Sequence, residues 1–301
     1  MMIHTDPMVS IGLPVYNGER YISEEIESLL NQTFHDFEII ICDNASTDGT
    51  EAICRSYGSS DTRIRYYRNS QNIGAAANFN RTFGLASGKY FKWAAHDDLH
   101  APDFLLRCVE VLDKDPSVVL CHSEVQFIDE SGRYIKNPDR FLPDASSPEA
   151  HVRFSELIRM VHWCLDIFGL MRSDALKRTP LISNYVGSDR NTLVILALLG
   201  RFHRVPECLF FNREHAERSV RKTRPAFRAA WFDPKNRNRI SLPRWRILFE
   251  YIKSLSAVEL PVKQRMACWQ HLFRWPGGHS RLLKKDVRLA SKSVITRLYK
   301  V

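Results

Sequence analysis

The chain has 301 residues, 44% of them hydrophobic and 26% charged, with a net charge of +9. That composition excludes collagen, extended coiled coil and overall disorder, and the length suits one large domain or one domain with an appendage. The charge is unevenly spread: residues 1–215 hold 22 Lys and Arg against 29 Asp and Glu, whereas residues 216–301 hold 21 against 5. A basic end of this strength suits an anionic partner, either a membrane surface, a nucleic acid or an acidic polymer. The plainer reading is a set of amphipathic helices with solvated Lys/Arg faces.

In chain order, Val9–Asn17 reads as a buried strand that runs into a Pro/Asn/Gly loop. Ile22–Gln32 carries Ile22, Ile26, Leu29 and Leu30 on one face, the spacing of an amphipathic helix. There follow a strand at Phe37–Asn44, a capped helix at Ser46–Gly58, a strand at Arg63–Asn69 and a helix at Ala75–Gly88. Next come a strand at Tyr90–Ala95, a helix at Pro102–Asp115 and a strand at Ser117–Ser123. Continuous apolar strands alternating with helices predict an α/β fold. Its central sheet is expected to be mostly parallel, with helices on both faces and ligands at the carboxyl ends of the strands.

After residue 124 the pattern is less regular. It suggests a hairpin at Phe127–Ile135, a loop over 137–149, and a strand and turn within Leu165–Leu176. An apolar helix at Ser188–Phe202 and a last strand at His203–His215 follow. Helices are expected near Pro243–Ser256, Val262–Phe273 and Arg281–Tyr299. The predicted organisation is a ligand-binding domain over 1–215 and a basic, mostly helical extension over 216–301.

Seven scattered cysteines, without a C-x-x-C pair, point to a reducing compartment and away from a structural zinc site. The first residues show no basic segment leading into an apolar one. The longest apolar run, Leu193–Leu199, is far below the roughly 20 residues of a membrane span. The expected location is cytoplasmic, at most peripheral on the inner face of a membrane.

The chemistry concentrates at the strand ends. Asp97 and Asp98 follow a buried strand side by side. One aspartate would serve as a helix cap, but two adjacent carboxylates suit a hard divalent cation, Mg²⁺ or Mn²⁺, that also grips phosphate oxygens. Asp43 ends an apolar strand and opens the turn-rich "DNASTDGT". It either builds that turn or accepts hydrogen bonds from a base or ribose. Pro14, Tyr16 and Asn17 form a facing wall, with Tyr16 either packed or stacked on a base. The loop "NSQNIGAAANFN" enters a helix through Gly74, where anions are favoured. Neither G-x-G-x-x-G after the first strand nor G-x-x-x-x-G-K-[ST] is present, which argues against dinucleotide-binding and P-loop enzymes.

These motifs, in this order over about residues 8–130, resemble the family 2 glycosyltransferases of GT-A fold. The resemblance implies that Pro14, Tyr16, Asn17 and Glu19 form the first nucleotide-binding loop. It gives Asp43 the base contact, with Ser46 in the following loop, and sets Asn72, Gly74 and Asn78 beside the nucleotide. Asp97 and Asp98 match the acidic motif, with Asp98 the direct metal ligand and Asp97 on the nucleotide side. The family's D-x-D-D pattern here begins at Ala95, so one acid is absent. Asp189 matches the general base, although as a helix N-cap it would need no such role. Gly169 matches a position near the acceptor or donor sugar, and His215 a histidine that binds metal or diphosphate in some relatives.

The function so implied is inverting glycosyl transfer to an acceptor hydroxyl, in surface polysaccharide or glycoconjugate synthesis. The donor would be a nucleotide-diphosphate sugar, a UDP-sugar foremost, and the acceptor a glycan or lipid-linked molecule. A non-catalytic nucleotide-sugar or glycan binder is the alternative. A sugar nucleotidyltransferase would need a Gly-rich loop with Arg and Lys that "PVYNGERYI" lacks. Nucleic acid is not expected as a partner, because Trp231, Trp245, Trp269 and Trp275 fall in helical apolar patterns rather than a stacking platform.

Overall fold

The computed structural model describes residues 6–137, 143–159, 163–218, 225–236 and 242–298. Strands β1 (Val9–Val15) and β2 (Phe37–Asp43) bury every residue, as continuous apolar runs require when both sheet faces are covered. With β3 (Ile64–Arg68) and β4 (Tyr90–Trp93) they form a parallel half-sheet, crossed over by α1 (Ile22–Leu30), α2 (Thr50–Ser60) and α3 (Ala75–Gly84).

Beyond β4 the pairing changes. The sheet order is β3-β2-β1-β4-β8-β6-β9-β5, with β7 (Tyr134–Ile135) on the side of β6. Strand β8 (Leu170–Arg172) runs antiparallel to both β4 and β6 (Val118–Ile128). Strand β9 (Arg201–Arg213) is parallel to β6, and the two-residue β5 (Leu99–His100) returns antiparallel along β9. Among the described residues four pairings are parallel and four antiparallel. The α/β class and the mostly parallel sheet stand, since the long pairings, β6 with β9 included, are parallel; the antiparallel ones are the short pairings of β5, β7 and β8. The sequence could not show the antiparallel pairings of β8, because it is three residues long and its direction follows from the preceding turn, not from periodicity.

Other departures have the same kind of cause. Strand β6 continues to Ile128 through a register shift at Glu124, where the sequence suggested a strand end at Ser123 and a separate hairpin from Phe127. Helices α5 (Ala150–Arg159) and α8 (Pro225–Phe232) were not expected. They join α4 (Phe104–Lys114), α6 (Ser173–Lys177) and α7 (Ser188–Leu199). Helix α7 is buried almost all round, which explains its weak amphipathic signal.

The helices after 215, α9 (Pro243–Ala257), α10 (Val262–Gly278) and α11 (Ser280–Leu298), do not form a separate core. Ile247, Tyr251, Leu272 and Trp275 belong to one buried cluster with Trp93, Phe154 and Leu193–Leu198. Trp275 Nε1 donates to the Ile158 carbonyl at 2.8 Å, and Ser254 Oγ to Asn191 Oδ1 at 2.9 Å. The division at 215 therefore marks a change of charge and not a break in packing. Among the described residues no helix is long and apolar enough to cross a membrane. All seven cysteines are free, and six of them are buried.

Tyr251 is 1% exposed, whereas Phe249 on the same helix is 55% exposed. Tyr251→Ala is expected to cost about 3–5 kcal/mol and Phe249→Ala no more than about 0.5 kcal/mol, read by urea unfolding. Equal effects would show that α9 is not anchored as described.

Candidate functional site

The first wall of the site is two loops stitched together by backbone donors and polar side chains. Asn17, at a φ of 52°, donates its N–H to Ser46 Oγ at 2.9 Å and receives the Thr47 N–H on Oδ1 at 2.9 Å. Gly18 donates to Thr50 Oγ1 at 2.8 Å, and Glu19 Oε2 accepts the Gly49 N–H at 2.6 Å. Tyr16 is 45% exposed beside this seam, and Pro14 is buried within β1. Asp43 is fully enclosed. Its carboxylate accepts the Ser46 N–H and the Tyr66 hydroxyl, both at 2.8 Å, with Arg68 Nε at 3.5 Å. In this structure those oxygens are committed to the loop, so Asp43 shapes the wall instead of presenting an open carboxylate.

The second wall is an asparagine network. Asn69 donates through Nδ2 to Asn44 Oδ1 and Asn78 Oδ1, both at 2.9 Å, and Asn78 donates to the Cys42 carbonyl at 2.7 Å. Asn72 Oδ1 accepts from Asn44 and from the Gly74 N–H. Asn72 is exposed and Asn78 buried, so of the two only Asn72 lies open to a ligand. Gly74 has a φ of 87°, and a Cβ there would come within 2.6 Å of the Phe232 carbonyl oxygen. The segment that follows α8 thus closes over this loop. Asn69 was not singled out from sequence as a site residue, although the density of asparagines in Asn69–Asn80 was its signal; Asn44 follows Asp43 at the polar end of the predicted strand.

The acidic pair is set by β5 and β9. Their register pairs Leu99 with Phe211 and His100 with Phe210, which carries Asp97 and Asp98 against the end of β9. Asp98 is 3% exposed. It accepts Asn212 Nδ2 on both oxygens, at 3.0 and 3.2 Å, and the Arg213 N–H at 2.9 Å. Burial and the neighbouring Asp97 charge push it up to about 8. Burial acts on Asp97 in the same sense. There His96 and the hydrogen bond to His215 outweigh it and hold the carboxyl down at about 2. His215 Nε2 lies 2.8 Å from Asp97 Oδ2, and its buried Nδ1 has no partner.

Arg213, fully buried, locks the arrangement. Its guanidinium donates to the Asp97 carbonyl at 2.9 Å and to Glu24 at 2.6 Å, and lies 4.7 Å over the Tyr21 ring. Asp98 is bonded to the end of β9, and Asp97 faces the buried His215.

Strand β8 begins at the same edge, because its antiparallel register, Phe91 with Met171, places Gly169 where β4 ends. Gly169 is buried, and a Cβ there would meet the Cys121 carbonyl at 2.7 Å, so it serves close packing. Asp189 lies in the first turn of α7 and is half-buried. The N-cap is Gly187, so Asp189 does not cap the helix, and its carboxylate accepts the N–H of its neighbour Arg190 at 2.9 Å. Its charge is felt by Cys164 and Tyr251, which ties it to the turn Leu165–Phe168 and to α9.

Asp166, in that turn, is 1% exposed and neither oxygen has a hydrogen-bond partner. Burial raises it to about 7. An aspartate inside the apolar run "CLDIFGLM" was the available signal.

With this geometry in place, the fold is of the GT-A type. Residues 10–177 match the family described as Glycosyl transferase family 2, and the chain belongs to that family. An uncharacterised glycosyltransferase of Rickettsia felis is 36% identical over 165 residues, which are 52% of this chain and 26% of that protein. An uncharacterised glycosyltransferase of Haemophilus influenzae is 28% identical over 221 residues, 71% of this chain and 67% of that one. The chain thus spans about a quarter of the first relative's length and two thirds of the second's. Among solved structures, S. aureus TarS 1–349 in complex with UDP-GlcNAc superposes with a TM-score of 0.64 and 17% identity, over 90% of this chain and 72% of that one. The mannosyltransferase PcManGT of Pyrobaculum calidifontis, in complex with GDP-Man and Mn²⁺, gives 0.54 and 18%, over 99% and 82%.

Asp166 yields a pH test. Its folded value lies above that of an unfolded carboxylate, so its contribution is present at low pH and is lost as pH rises from about 4 through about 7. Denaturant midpoints of wild type and Asp166→Asn should therefore diverge across that window, with the variant gaining relative to wild type at higher pH. Parallel pH profiles would show that Asp166 titrates normally.

Proposed function

We propose that the chain is an inverting, metal-dependent glycosyltransferase. It moves a sugar from a nucleotide-diphosphate donor, a UDP-sugar foremost, to a hydroxyl of a glycan or lipid-linked acceptor, at the cytoplasmic side of a surface-glycan pathway. The observation that carries this reading is the Asp97–His215 pair, 2.8 Å apart at the strand ends, in a fold that exposes Tyr16 and Asn72 at other strand-end loops. Family membership and the donor complexes of the structural relatives support it.

Among the described residues no group of three or more His, Cys, Asp and Glu side chains is placed to hold a metal ion, so a divalent cation would rest on the Asp97 carboxylate and the His215 Nε2 beside it, with its other ligands from the donor. One oxygen and one imidazole nitrogen suit Mn²⁺ better than Mg²⁺, with diphosphate oxygens completing the set. When bound, the cation neutralises charge on the leaving diphosphate.

The chain's own groups do the rest. Tyr16, Asn17 and Asn72 flank the nucleoside, and Asp43, Ser46, Glu19 and Asn78 keep their loops in place. Asp189 removes the proton of the acceptor hydroxyl as its oxygen bonds to the anomeric carbon. The bond from that carbon to the diphosphate oxygen breaks on the opposite face.

Calorimetric titration with UDP-, GDP-, dTDP- and CMP-sugars, with and without Mn²⁺, tests the donor site. One nucleotide class should bind in a Mn²⁺-dependent manner, and Asp97→Ala should abolish that dependence. Asp98→Ala should instead lower stability by about 2–4 kcal/mol, because it strands the Asn212 amide and the Arg213 N–H. Absence of any donor binding by the folded protein would overturn the reading. For the base, Asp189→Asn should reduce turnover by about 10²–10⁴-fold with donor affinity retained; a variant with normal turnover removes Asp189 from that role.

A further inference from the structure

Helices α9, α10 and α11 turn a buried face to the core and an outer face to solvent, and the outer face is not simply polar. On α10, Val262, Met266 and Phe273 are 74%, 60% and 77% exposed. With the half-buried Trp269 they fall at intervals of four, three and four residues, a single stripe along the helix. The Trp269 and Phe273 rings lie 5.9 Å apart. On α9, Phe249 stands between exposed Arg246 and Lys253, three and four residues away. On α11, Val287 and Leu289 are exposed among Lys284, Lys285 and Arg288. The three helices pack on one another.

The charge of this layer is nearly all of one sign. Asp286 is buried and accepts the Arg244 N–H at 2.6 Å, and Glu250 is paired with Arg246 at 2.9 Å and Lys253 at 3.3 Å. Of the acids in residues 242–291, Glu259 alone is exposed. Nucleic acid would be met by the cations but gives the aliphatic Val262 and Met266 nothing to bury against. A charge-neutral protein partner would leave the cations unmatched. A surface that offers phosphates above hydrocarbon satisfies both sets.

We propose that the outer face of α9–α11 docks the protein on an anionic lipid bilayer. Val262, Met266, Phe249 and Phe273 enter the boundary between headgroups and acyl chains, and the flanking Lys and Arg side chains meet lipid phosphates. The docking uses none of the residues at the strand ends, so it stands apart from the transferase reading.

The test is sedimentation of the full-length chain with vesicles of phosphatidylcholine alone or mixed with phosphatidylglycerol, without donor or acceptor. Wild type should bind the mixed vesicles in a salt-sensitive manner and leave the neutral ones in solution. The double variant Phe249→Ser/Phe273→Ser should bind at least about tenfold more weakly, with an unchanged circular dichroism spectrum, because both side chains are already exposed. Lys284→Glu/Lys285→Glu should weaken binding through the charge arm alone. Failure of wild type to bind the mixed vesicles at low salt overturns the proposal. So does equal binding of wild type and the Phe double variant, or tighter binding to a single-stranded oligonucleotide than to the mixed vesicles.

Discussion

The Asp98 carboxylate, gripped by the Asn212 amide and the Arg213 N–H, is the contact on which the functional end of the molecule depends. It joins the end of the parallel half-sheet to the end of β9, which lies more than a hundred residues further along the chain. A carboxylate removed from water needs several hydrogen bonds to stay there, and here β9 supplies three. Once that junction forms, the short β5–β9 ladder fixes the loop between them. Asp97 and His215 then face each other at 2.8 Å. Preorganisation of this kind removes the cost of gathering like-charged or easily solvated groups at the moment of binding.

The same logic governs the layers behind the site. Beneath the acidic loop, Glu25, Lys92 and His100 form a buried polar chain, with Lys92 Nζ 2.8 Å from His100 Nε2 and His100 Nδ1 3.2 Å from Glu25. Burial lowers Lys92 to about 8 and raises Glu25 well above its ordinary value, drawing both toward their neutral forms. Above the loop, the chain beyond 215 returns to cover Gly74, and Tyr251 packs beneath α7 next to Arg190. The C-terminal helices therefore complete the wall of the site and, on their outer side, present a face of a different kind.

Much of this was legible in the sequence for definite reasons. Runs such as "VSIGLPV" and "FEIIICD" have too few polar positions for any element but a two-sided buried strand, and "ISEEIESLL" has one apolar face. Gly74 announced a special backbone position, and it has one, with a φ of 87°. The adjacent aspartates announced an acidic centre at a strand end. Less legible were elements whose state is imposed from outside: β5 and β8, too short to carry a period, and α5 and α8, helical because an apolar neighbour receives them.

What the sequence determined by itself is the class of the scaffold and the chemical types gathered at the strand ends, because local periodicity and residue chemistry act within a few residues. Only the tertiary structure decided which partners those groups meet. Asp97 and Asp98 are identical in type and adjacent in sequence. One is bonded to the end of β9 by the Asn212 amide and the Arg213 N–H, and the other faces a single histidine just beyond it. That choice rests on contacts between distant segments, and no local pattern encodes it.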